Sequence, residues 1–236
     1  MQVDIAPALP APRHFAMAIL RSGRLSAGGH DVDLSGLRGI SAAHLLALFQ
    51  SLPKLRRLVA RNCGLQALPE KLGVLSDLQE LDLEGNALRQ LPASLCHLRQ
   101  LKYLNLAHNQ LTSLPDGLGA CSGLRSLNAS HNALVRLPMS LGKLGNLRTL
   151  RLSHNALTAL PSSLGSLHGL EALYVDHNVL LDLPSEAANL VGLRRLEAGQ
   201  NAIEDYPEQL VSLRRLRQVN LEGQAHSRGS RPRAGR

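Results

Sequence analysis

Six asparagines in this chain stand at one fixed step. Asn86, Asn109, Asn132, Asn155, Asn178 and Asn201 each follow the last by 23 residues. Cys63 falls one step before the series, and Gln224 one step after it. Leu-Pro pairs keep the same interval from Leu68-Pro69 through Leu183-Pro184, and Tyr206-Pro207 continues them. A repeat held this strictly over about 160 residues fixes the architecture before any local propensity does. It argues for an elongated stack of one supersecondary unit, not for a single globular centre.

The stretch "LQELDLEGNALRQLPASLCHLRQ", residues 78–100, shows what is repeated. Leu81 and Leu83 alternate with Glu80, Asp82 and Glu84, the period of a short strand with one buried face. Leu88, Leu91, Leu95 and Leu98 then recur at three- and four-residue steps, which suits a tight helical or 3-10 return path. Pro92 fits the start of that turn, where its missing amide would be unpaired anyway. One coil cannot bury its leucine row alone, but stacked coils align their rows into a continuous core. Aromatics make up only 2% of the chain and Trp is absent, so this core must be aliphatic. Parallel strands stack ~4.8 Å apart, and the bulkier return path makes the stack curve with its strands inside.

The pattern LxxLxLxxNxLxxLPxx with a Leu-bearing return resembles the intracellular leucine-rich repeat family, at the step shared by Scribble- and Erbin-type repeats. The resemblance covers residues 55–224. It implies an α/β leucine-rich-repeat solenoid, a horseshoe with a concave parallel β-sheet and a convex face of short helical or 3-10 turns. It also implies a non-catalytic protein-interaction module, a small scaffold or adaptor in signalling, that holds a protein partner on the concave face. In such a fold the column Asn86 to Asn201 forms a structural ladder to neighbouring backbone groups. Cys63 donates only weakly and Gln224 is one methylene longer, so both ends of the ladder are expected to be poor.

The flanks depart from the repeat. In residues 29–54, Val32 and Leu34 precede Leu58 and Ala60 by a longer step, and Ser41 is placed to cap a helix from Ala42 to about Leu52. This segment reads as an N-terminal capping repeat. Residues 1–28 read as a flexible extension. Asp4 and several prolines interrupt any signal-peptide pattern, and no apolar run approaches the ~18 residues of a membrane span, so a cytoplasmic protein is expected. Residues 225–236, "AHSRGSRPRAGR", hold four arginines and no acid, half of the chain's net charge of +8. They read as a basic disordered tail. Nucleic acid or an anionic surface is the alternative ligand through this tail, although four arginines without aromatics bind weakly and salt-sensitively. Beyond Leu221 the next expected apolar position holds His226, so the C-terminal edge reads as uncapped and open to a second copy of the chain.

Outward strand positions supply the candidate site. Tyr and Arg are favoured anchors at interfaces, and the expected binding centre is Tyr103, Asn105, Asn128, Arg151, Tyr174 and Asp176. The acidic trio Glu80, Asp82 and Glu84 is placed to meet a basic partner segment. His108, His131, His154 and His177 precede the Asn column on four consecutive coils. Over three strand gaps that row spans ~14 Å, and zinc holds its ligands at ~2 Å, so four such side chains cannot share one ion. A neighbouring pair has only Asp176 as a third ligand, so no metal is expected. The row reads as a solvent-facing stripe that changes charge near pH ~6–7. No Ser or Cys is organised beside a base, and no phosphate-loop or kinase signature occurs, so no catalytic residue, cofactor or small-molecule substrate is expected. The three cysteines are odd in number and widely spaced, which suits buried small hydrophobes in a reducing compartment.

Overall fold

The computed structural model describes residues 9–26 and 28–224. The basic tail at 225–236, with the ligand expected for it, lies outside the described residues. Nine three-residue strands form one parallel sheet in chain order: β1 (Asp31–Asp33), β2 (Arg57–Val59), β3 (Glu80–Asp82), β4 (Tyr103–Asn105), β5 (Ser126–Asn128), β6 (Thr149–Arg151), β7 (Ala172–Tyr174), β8 (Arg195–Glu197) and β9 (Gln218–Asn220). The repeat step sets the register directly, since Leu81 pairs with Leu104 and Leu104 with Leu127. The longer first step is also in register, with Val32 opposite Leu58.

Each strand from β2 to β8 is followed by a return path that carries a short 3-10 turn. Pro92 is extended at φ −66°, and the turn Ala93–His97 follows it with Leu95 buried. Pro138, Pro161 and Pro184 open the corresponding turns of later coils. The strand leucines and the return-path leucines meet in one core that runs from Phe15 to Leu213. Leu127, Leu150 and Leu164 have no exposed surface, and each such burial is worth about 1.5–3 kcal/mol. Strands line the concave side and 3-10 turns the convex side, as expected.

The asparagine column ties the coils together. The Asn109 amide donates to the carbonyls of Leu83 and Leu106, both at 3.0 Å, and its Oδ1 accepts the Leu88 amide at 3.0 Å. The Gln224 end does better than its side chain suggests, while the Cys63 end is as weak as expected. Gln224 Nε2 donates to Ala198 at 3.0 Å and Leu221 at 2.9 Å, while its Oε1 accepts from Ile203. The extra methylene is absorbed because this last rung is only half-buried. Cys63 Sγ donates to the Leu34 carbonyl at 3.2 Å, a weak sulfur version of the same rung.

The N-terminal cap is larger than the sequence indicates. Helix α2 (Ala42–Ser51) starts at Ser41 in a capping box where His44 takes the place usually held by Glu or Gln. Part of the extension expected to be flexible is a helix, α1 (Pro12–Arg21), with Phe15, Ala16 and Ile19 buried. Its Phe15 ring meets His44 edge-on at 5.0 Å, and His44 Nε2 donates to the Pro10 carbonyl at 3.0 Å. A proline in the first turn and apolar residues on one side let so short a segment dock as a helix. At the other end, β9 has no further strand beside it among the described residues, and Val219 is 39% exposed. No helix among the described residues is long and apolar enough to cross a membrane.

Candidate partner-binding face

The first and third residues of each strand face away from the leucine core, toward the concave side. Register puts Tyr103 in the column of Ser126, Thr149 and Ala172, and puts Tyr174 in the column of Asn105, Asn128 and Arg151. The two tyrosines are therefore diagonal to one another across four strands. Tyr103, half exposed at 50%, lines a hollow with Asn105, Asn128 and Arg151. Arg151 and Asn128 also line the neighbouring hollow of about 690 Å³, together with Tyr174, Asp176 and the histidine row. The six residues expected to form the binding centre thus make one continuous strip over β4 to β7.

Tyr174 is the electrostatic centre of that strip. The Arg151 guanidinium lies 4.8 Å from its ring centroid, and that of Arg195 lies 5.3 Å away. Two cations over one ring orient it by the ring quadrupole. Arg195 is also anchored by Glu197, with Nε to Oε1 at 2.9 Å. Arg151 makes no ion pair among the described residues. Arg195 was not among the expected site residues, because it reaches Tyr174 diagonally across the strand pair instead of standing opposite it.

The acidic trio is arranged differently from the expectation. Glu80 pairs with Arg57 at 3.0 Å, and Glu84 accepts from Asn105 Nδ2 at 2.9 Å. Asp82 is 4% exposed and accepts from Arg61 Nε at 2.8 Å. The three carboxylates therefore serve the sheet before any partner. Asp82, Asn105 and Asn128 also brace the chain after each strand, accepting from the amides of Glu84, Ala107 and Ser130. Asn105 is committed at both ends. Asn128 uses only its Oδ1 in this way.

The histidine row is exposed at the rim of this face, as expected, but its backbone is unexpected. His108, His131, His154 and His177 are left-handed, with φ of 52 to 56°. Gly85 and Gly223 occupy the same column with φ of 71° and 70°, and these glycines were the sequence signal for that conformation. The common geometry aligns the rings into a stack with centroid separations of 4.1, 4.2 and 4.1 Å and planes within 12°. Partial desolvation lowers the His131 pKa, and the neighbouring His108 and His154 add to the shift. Beside the stack, Ser153 Oγ donates to Asp176 Oδ1 at 2.6 Å. The potential ligand atoms of His154, Asp176 and His177 all lie within 4.8 Å of one another.

Stacked coils, an in-register sheet and an asparagine ladder define a solenoid repeat protein that offers its concave side as a platform. The chain belongs to the leucine-rich repeat family: the signature of a leucine-rich repeat region matches residues 32–133 and 118–231. A solved structure of a leucine-rich repeat protein from Leptospira interrogans is similar at 28% identity and a TM-score of 0.64, covering 84% of this chain and 56% of that one. The leucine-rich repeat ectodomain of the Arabidopsis thaliana receptor kinase GASSHO1/SCHENGEN3, in complex with Casparian strip integrity factor 2, is similar at 26% identity and a TM-score of 0.53, covering 83% of this chain and 30% of that one. The plant peptide hormone receptor RGFR1, in complex with RGF2, shares the fold at 23% identity and a TM-score of 0.62, covering 84% of this chain and 36% of that one. The chain thus spans little more than half the length of the bacterial protein and about a third of each plant receptor. No curated protein matches its sequence.

Proposed function

We propose that this chain is a non-catalytic protein-interaction module, a small scaffold or adaptor, that holds a protein partner on its concave face. The observation that carries the reading is the cluster of Arg151, Tyr174 and Arg195. It sets an aromatic ring and an unpaired guanidinium in the middle of a polar platform, the residue types that dominate binding energy at interfaces. The Arabidopsis ectodomain and the plant hormone receptor are each described in complex with another named factor, which supports binding as the work of this fold. Two observations favour binding over catalysis. The titratable cluster lies in an open hollow without an organised nucleophile, and all three thiols are buried with their pKa values pushed up, the reverse of an activated cysteine. Three unpaired cysteines are in keeping with a reducing setting.

The test is capture of partners from cell extract by the intact chain and by a Tyr103→Ala, Arg151→Glu, Tyr174→Ala triple variant of verified fold. A partner retained by the intact chain and lost by the variant supports the concave face. A partner kept by both moves binding to the convex side or to the edge at β9, and overturns the assignment.

A further inference from the structure

We propose that His154, Asp176 and His177 form a binding site for a zinc-class transition-metal ion at the rim of the concave face. The ladder supplies four equivalent imidazoles, but the site is not repeated along it. The residue before each histidine is Ala107, Ser130, Ser153 and Asp176 in turn. Only the last brings a carboxylate, and this selects the pair His154 and His177 from the row. Among the described residues these three groups are also the ones whose ligand atoms converge, all within 4.8 Å of one another.

Two imidazoles and one carboxylate leave a fourth position open for water or a partner's donor group, a set suited to zinc and to the neighbouring imidazole-loving ions. Asp176 is not loose. Ser153 Oγ holds its Oδ1 at 2.6 Å, which fixes the carboxylate and leaves Oδ2 available as a ligand atom. Such outer hydrogen bonds are what orient metal ligands. The backbone contributes as well, because the left-handed turn at φ 56° and 52° projects both rings to the same side.

One adjustment is required. Rings stacked 4.1 Å apart and 10° from parallel aim their nitrogen lone pairs side by side, so they do not meet. A tetrahedral ion with bonds of ~2.0 Å needs donors about 3.3 Å apart. Both histidines are exposed and Asp176 is half-buried, so the rings turn toward the ion without disturbing the core. The fourth position then opens onto the hollow that Arg151 and Tyr174 line.

The experiment is a Zn²⁺ titration of the full chain, prepared without a polyhistidine tag and stripped with chelator, read by calorimetry and by native mass spectrometry. The expected result is one ion per chain with a dissociation constant in the micromolar range or tighter. Asp176→Asn and His177→Asn should each weaken binding at least about tenfold. His108→Asn, two coils from the site, should leave it unchanged. Asparagine tolerates the left-handed turn, and thermal unfolding in chelator confirms that each variant is folded. Absence of saturable binding overturns the proposal. So does binding that Asp176→Asn and His177→Asn leave intact, or that His108→Asn weakens equally, since the row would then collect ions unspecifically.

Discussion

The side-chain amide of Asn109 donates to the carbonyl of Leu83 across 3.0 Å, joining one coil to the coil before it. The same side chain accepts the Leu88 amide at 3.0 Å, so one residue satisfies backbone groups of two coils in a buried layer. Replacing it strands those groups away from water. Asn109→Ala is expected to destabilise the chain by about 1–3 kcal/mol. Cys63→Ala should cost less, because the thiol it removes is a weak donor to Leu34 and Arg61. Urea unfolding of the two variants checks the order. Equal losses would mean that the ladder is set by packing and not by hydrogen bonding.

The histidine stack carries a pH dependence of definite sign. The His131 pKa is lowered in the fold, first by partial desolvation and then by His108, His154 and His177, with Asp176 opposing. The unfolded chain restores the ordinary value of about 6.5. Between the two values the unfolded state binds a proton that the native state refuses, so stability falls as pH falls. The stabilisation is complete above pH ~6.5 and is lost as pH drops through the lowered value. Denaturant midpoints measured from pH 8 to pH 5 in chelator should show this decline, and His131→Asn should flatten it. A profile unchanged by His131→Asn would assign the decline to other groups.

The cysteines should be silent toward thiol reagents while the chain is folded. Cys121 has no exposed surface, and burial pushes its pKa up to about 12. Thiolate is the reactive form, so at pH 8 almost none is present and none is accessible. Labelling of Cys121 by a disulfide exchange reagent is expected to follow the rate of unfolding and to become fast in denaturant. Rapid labelling under native conditions would show that the coils around Cys121 open locally.

Much of this molecule was legible in its sequence because a strict period transmits register. Once Asn86 and Asn109 are known to be equivalent, so are Leu81 and Leu104, and the sheet follows. Ser41 announced its helix by the same local chemistry. The binding strip was legible as a set of columns but not as a set of contacts. Arg61 reaches Asp82, and Arg195 reaches Tyr174, along diagonals that depend on side-chain rotamers. Helix α1 was missed for another reason. Its apolar face is three residues wide, and its burial depends on α2, which lies well downstream. The stacking of the histidines needed the left-handed turn, which only the glycines at 85 and 223 hinted at.

Two equivalent serines on the convex side give opposite expectations. Ser140 Oγ accepts the Gly119 amide of the preceding coil at 3.2 Å, as Ser94 does from Gly73 at 3.3 Å. Ser163 occupies the next position of this column, yet its buried Oγ has no partner among the described residues. A buried hydroxyl without a partner costs about 1–3 kcal/mol, whereas a typical made hydrogen bond contributes about 0.5–1.5 kcal/mol. Ser140→Ala should therefore destabilise the chain by about 1 kcal/mol. Ser163→Ala removes an unmet polar group and places a better helix former in its turn, so it should leave stability unchanged or raise it. Paired thermal melts decide the matter. If Ser163→Ala lowers the melting temperature as much as Ser140→Ala does, the Ser163 hydroxyl is bonded in solution, most simply to the Gly142 amide that its column position faces.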